Sequence, residues 1–261
     1  MGKGRWGGFK KGRKKFFEDW DNLKSASSIS NAPETISDFH YTDGKGIWDL
    51  ISTTQFSKKQ YTSPVIPSDY TFGSYENNSV SSSANISSVD IGSPHEARSV
   101  IVVAGGSQTG TWDGFSSFTI NGIDVSSNLV TVANGNPEYG VMVFGQITEE
   151  STASVSISWN GEMQEETALY AIPYYGRGIL VDYASATSHS ATVSYTAGDL
   201  IVGVGVRNNA TMSNPGDWSF FNQVDVKTTD YLACGFRIAG SSGSSTFQIG
   251  SANAVGIAVF R

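Results

Sequence analysis

The chain has 261 residues, of which 39% are apolar, 16% charged and 29 are glycine, with a formal net charge of −7 at pH 7. Such a length can bury a large core, and a charge-poor, glycine- and serine-rich composition excludes a coiled coil and an acidic disordered tail. No apolar run approaches the ~20 residues of a membrane span, no apolar stretch of the secretory-signal kind follows the basic start, and the single cysteine, Cys234, reads as a small buried strand residue.

The charge is unevenly placed. Lys3, Arg5, Lys10, Lys11, Arg13, Lys14 and Lys15 lie within the first fifteen residues, which contain no acid; the other 246 residues carry ten basic and 24 acidic side chains. A basic arm ahead of an acidic body is an electrostatic contact device. Trp6, Phe9, Phe16 and Phe17 are interleaved with glycines in and beside this arm, a mixture that suits a protein groove at least as well as nucleic acid, where apolar rings matter less than charge. Phe16, Trp20 and Leu23 fall at i, i+4 and i+7, with acids early and Lys24 late, so a short helix is expected there. One helix of that length needs something to dock on.

A second marked segment runs through Ile47, Trp48, Leu50 and Ile51 and predicts a strand or helical turn, then a polar helix that ends in Lys58 and Lys59. Pro64 and Pro67 then impose an extended path. Residues 74–93 contain eight serines and three asparagines and read as linker. The expected organisation is an anchor arm over 1–30, an attachment segment with a Ser/Pro-rich linker over 31–86, and a β domain over 87–261.

From residue 87 on, strand and turn signals recur every 8–14 residues. Strands are expected at 99–103, 118–120, 123–125, 141–144, 155–159, 168–172, 191–195, 200–206, 218–224, 231–238, 246–249 and 254–260. Asn121-Gly122 is a two-residue hairpin turn, because both residues accept φ > 0. Gly203 and Gly205 on one face of their strand predict close approach of another sheet. Some twelve short strands without helical pattern predict an all-β fold, an antiparallel jelly-roll-like β-sandwich preceded by an extended arm with one or two short helices.

Catalytic signatures are weak. His40, His95 and His189 lack metal-ligand spacing, and neither a nucleophile elbow nor a phosphate loop is present. His189 between Ser188 and Ser190 reads as a solvated loop residue. Glu149, Glu150, Glu162, Glu165 and Glu166 could serve glycoside cleavage or calcium, but they read as solvated edges that discourage sheet aggregation. The expectation is a non-enzyme with no cofactor and no metal. Trp112, Tyr139, Tyr174, Tyr175 and Trp218 lie in turn-rich stretches, where rings either stack on sugars or close the sandwich ends. With Arg177 they are the candidate glycan contacts.

Two stretches resemble bacteriophage virion proteins. Gly46-Ile47-Trp48-Asp49-Leu50, followed by a lysine-ended polar segment, is similar to a segment of phage and marine-virus structural proteins, although Tyr61-Thr62-Ser63-Pro64 stands where that family has Trp-Pro. Gly198-Asp199-Leu200-Ile201-Val202, Pro215-Gly216-Asp217-Trp218 and the final apolar strand resemble the β-sandwich domain of phage tail and fibre proteins. The resemblance implies a virion component assembled in the host cytoplasm, a fibre, spike or fibre-adaptor and by default a homotrimer. Trp6, Phe9, Phe16, Phe17, Trp20, Ile47, Trp48 and Leu50 would anchor it to capsid, portal, tail hub or fibre proteins. A host glycan is a candidate outward partner; nucleic acid and membrane insertion are not expected. The alternatives are a carbohydrate-binding module and a minor capsid protein whose arm reaches packaged DNA.

Overall fold

Short apolar runs divided by Gly, Asn and Ser form strands and almost nothing else. The computed structural model describes residues 63–77, 81–108, 113–135, 138–161, 166–176, 178–208, 211–214, 216, 218–227, 230–249 and 252–261, all within one unit, Tyr61–Arg261. The expected helices at 16–24 and after Leu50 lie outside these residues. In chain order the strands are β1 (Ser74–Asn77), β2 (Ser83–Asp90), β3 (Arg98–Ser107), β4 (Phe115–Ile120), β5 (Ile123–Asp124), β6 (Leu129–Asn134), β7 (Glu138–Gln146) and β8 (Thr152–Trp159). They continue with β9 (Thr167–Tyr175), β10 (Leu180–Ala186), β11 (Ser190–Tyr195), β12 (Leu200–Arg207), β13 (Phe220–Lys227), β14 (Asp230–Ile238), β15 (Gly243–Gln248) and β16 (Ala254–Phe260). Helix among the described residues is one 3-10 turn, Ser126–Asn128.

The strands build four antiparallel sheets: β2-β8-β4-β5, β1-β9-β3-β7-β6, β10-β16-β12-β14-β13 and the pair β11-β15. Three apolar layers separate them. Val100, Val102 and Ala104 of β3 pack with Phe118, Ile120, Val155 and Ile157 of the first outer sheet. Ile101, Val103, Met142, Tyr170 and Ile172 meet Val202, Val204, Leu232, Cys234 and Phe236 between the two five-stranded inner sheets. Ile201, Ala233, Val255 and Ile257 pack under Val193 and Phe247 of the β11-β15 pair. The body is therefore four layers deep. This is why β3, β9 and β16 read as unbroken apolar runs: both of their faces are covered, and β3 and β16 are buried along their whole length.

The two inner sheets have the same strand order. Replacing β1, β9, β3, β7 and β6 by β10, β16, β12, β14 and β13 reproduces one sheet from the other. The central ladders correspond without register shifts, whereas the shifts in the edge ladders fall at different places, between Leu129 and Thr131 in one sheet and between Asp225 and Lys227 in the other. Tyr139 pairs with Gly106 as Tyr231 pairs with Arg207, and Tyr170 pairs with Val103 as Gly256 pairs with Val204. Val65 exchanges backbone bonds with Tyr175 as Ile179 does with Arg261. Residues 65–175 and 179–261 are thus two copies of one topology. They stack through their inner sheets so that β6 faces β10 and β1 faces β13, the reciprocal pattern of a two-fold interface.

Two expectations change. The serine-rich stretch 74–86 is not linker: it forms β1 and the start of β2, and the predicted boundary at residue 87 falls inside β2. Ala84, Ile86 and Val89 point inward while serines face water, so the period-2 signal is carried by few apolar residues. Likewise β6 and β10 were not among the expected strands. The remaining expected strands all coincide with observed ones. Asn121 and Gly122 turn the β4-β5 hairpin with φ of 50° and 75°. Gly203 does admit a second sheet: a Cβ there would stand 2.5 Å from the Phe247 ring.

Candidate functional site

The residues proposed for glycan contact do not form one surface. Tyr139 and Tyr174 are fully buried and Trp218 retains 6% exposure. Tyr174 packs against Phe260 with ring centroids 5.9 Å apart, and Trp218 against Phe247 at 4.4 Å. These three are core rings and cannot stack on a sugar. The turn residues around them misled because inner strands are covered on both sides almost to their ends. Tyr175 is half-buried; its ring lies 4.3 Å from that of His95 and its hydroxyl donates to the Ser93 carbonyl. Trp112 and Arg177 lie outside the described residues. So do all the anchor positions (Trp6, Phe9, Phe16, Phe17, Trp20, Ile47, Trp48, Leu50) and the basic arm residues.

Reactive groups are equally dispersed. Cys234 is buried in β14, and burial pushes its thiol pKa up, so it holds no thiolate. His95 Nδ1 accepts from the Ala97 amide, and His189 is exposed in the β10-β11 turn. Among the described residues no three His, Cys, Asp or Glu side chains gather as metal ligands. Glu149 and Glu150 have exposed side chains, but their carbonyls serve Arg98. That guanidinium is wholly buried and donates to the carbonyls of Ile91, Gly92, Ile147, Glu149 and Glu150 at 2.5–3.2 Å. It ties the β2-β3 connection to the β7-β8 connection.

Three surfaces were not legible beforehand. The first is a hydroxyl-rich lattice on the outer sheets: Ser83, Ser158 and Ser117 form one cross-strand row, and Asn85, Ser156 and Thr119 form the next, which ends on the exposed Asp124. On the opposite side Thr192 and Thr246 are paired, their hydroxyls 2.8 Å apart. The second is an apolar strip at the β10 edge, where Ile179, Val181 and Tyr183 are exposed, Tyr183 by 59%. The third is an open groove of about 590 Å³ lined by Val132, Asn134, Ser185, Ala186, Thr187 and Ser188, which bears no charge.

A polar cluster also interrupts the layer between the inner sheets. Glu138 opens β7 and is fully buried. Its Oε2 accepts from Asn253 Nδ2 at 3.2 Å and its Oε1 has no partner. Burial pushes the Glu138 carboxyl above its ordinary pKa, hydrogen bonds from Asn208 and Asn253 act against this, and nearby Asp230 adds to it. The repeated acid-tyrosine pair, Glu138-Tyr139 and Asp230-Tyr231, was the sequence signal for this place.

Compared with known proteins, the chain matches no family model, no curated protein and no solved structure.

Proposed function

We propose that the chain is a non-enzymatic bacteriophage virion component, a fibre, spike or fibre-adaptor. In this reading residues 1–60 attach it to capsid, portal or tail and the doubled β body faces outward. The observation that carries the reading is the strand order. A jelly roll sets one four-stranded sheet, with its first, eighth, third and sixth strands in that order, against a second sheet with the second, seventh, fourth and fifth. The orders β1-β9-β3-β7 and β2-β8-β4-β5 match this once β6 is taken as an added edge strand, and β10-β16-β12-β14 over β11-β15 repeats it with a shortened outer sheet. Jelly rolls recur in viral capsid and lectin domains.

The seven-cation, aromatic-rich start of the sequence favours assembly over free sugar binding. Burial of Tyr139, Tyr174 and Trp218 takes three of the five candidate rings out of any platform that a carbohydrate-binding module would use. A host glycan would then meet the hydroxyl lattice or the loops outside the described residues, and a homotrimer would form through sheet edges or faces. Deletion of residues 1–24 is expected to leave the β body folded by circular dichroism while abolishing its co-sedimentation with particles. Normal copy number of the truncated chain in purified particles overturns the reading.

A further inference from the structure

We propose that the interface between the two inner sheets holds one divalent cation of the calcium class, bound by the Glu138 carboxylate with the Ser107 hydroxyl and the Asp230 carboxylate. The placement follows from register. Glu138 and Ser107 are cross-strand partners at the ends of β7 and β3 and so project from the same face. Two-residue alternation with Gly140 and Met142 on β7, and with Ile101 and Val103 on β3, turns that face toward the second repeat. Asp230 opens β14 as Glu138 opens β7. Its alternation with Leu232 and Cys234 turns it back toward the first repeat. The reciprocal stacking thus brings two acids from two sheets to one place, and both are buried, with 0% and 2% exposure.

Two observations within this cluster point to a ligand. Ser107 is fully buried and its Oγ has no partner; the neighbouring Glu138 Oε1 has none either. Orphaned buried oxygens are rare and call for an occupant. A water molecule would satisfy the hydroxyl but bring no charge to the buried Glu138 carboxylate, whereas a divalent ion supplies both. Carboxylate, hydroxyl and amide oxygens are ligands of hard cations, and no histidine or cysteine is part of the cluster, so zinc does not fit. The side chain of Asn253 already bonds to Glu138 and holds it in place.

The test uses the full chain after treatment with a chelator. Terbium is expected to give saturable emission excited through tyrosine, with calcium displacing it. Addition of about 10 mM CaCl2, some tenfold above a weak-site Kd, is expected to raise Tm by about 3–5 °C. Glu138→Gln should abolish both responses with an unchanged circular dichroism spectrum, and Ser107→Ala should weaken calcium binding about tenfold, as loss of one ligand does. Absence of terbium emission and of a Tm rise overturns the proposal, as does a wild-type response in Glu138→Gln. Stabilisation by acid alone, with no calcium response, assigns a shared proton to the two carboxyls and overturns it too.

Discussion

The first repeat covers its inner sheet with four strands, β2-β8-β4-β5, whereas the second covers the same five-strand order with only β11 and β15. The smaller cover sets a large ring on a small residue. Phe247 lies on Gly203 and against Trp218, while the first repeat spreads its contacts over Phe118, Ile120, Val155, Ile157 and Trp159. A second contrast occurs at one equivalent position at the start of the central strand. Arg98 of the first repeat donates to five loop carbonyls. Asp199 of the second accepts from the Thr196 amide and hydroxyl and from Arg261. The lesson is that topology was duplicated while the means of fastening each copy diverged, the donor in one becoming the acceptor in the other.

The comparison can be broken by measurement. Phe247→Ala is expected to cost about 3–5 kcal/mol in urea unfolding, because a two-stranded cover has few neighbours that can collapse into the space. If Ile157→Ala, in the broader cover of the first repeat, costs more, the argument from covering area fails. Arg98→Met should cost about 3 kcal/mol, since it removes the donor from five carbonyls in a buried site.

The smallest effect is expected for Asp199→Asn, at most ~1 kcal/mol near neutral pH, because its ion-pair partner Arg261 is partly exposed. Burial pushes the Asp199 carboxyl pKa up, but Arg261 and Thr196 outweigh it and hold the carboxyl below its ordinary value. A depressed carboxyl stabilises the fold above its unfolded pKa, and that contribution is lost as pH falls through the folded value. The asparagine variant should therefore flatten the acid limb of the stability profile. An equal loss from Arg98→Met and Asp199→Asn would erase the contrast between the two positions.

Much of the strand pattern could be read from the chain. Runs such as 99–103 and 254–260 are apolar without interruption, and Asn121-Gly122 allows a tight turn. β1 and β2 escaped because their serines and asparagines imitate a linker, and β10 because none of its residues is buried; β6 has no such local disguise. Placing Tyr139, Tyr174 and Trp218 required knowing that a second sheet lay over them; local turn residues do not carry that information. The Glu138 cluster escaped for the same reason: Glu138 and Asp230 lie far apart in the chain and share a place only because two sheets stack.

Local chemistry, then, was enough to specify an all-strand body, its turns and the close approach at Gly203, since hydrophobic alternation and glycine backbone freedom act over a few residues. The chain also states by itself the basic, aromatic character of its first residues. The doubling of one topology, the four-layer stack and the buried acids at its centre were decided by tertiary structure. Those features depend on which sheet faces cover each other, and burial on both faces is a property of the partner sheet as much as of the strand.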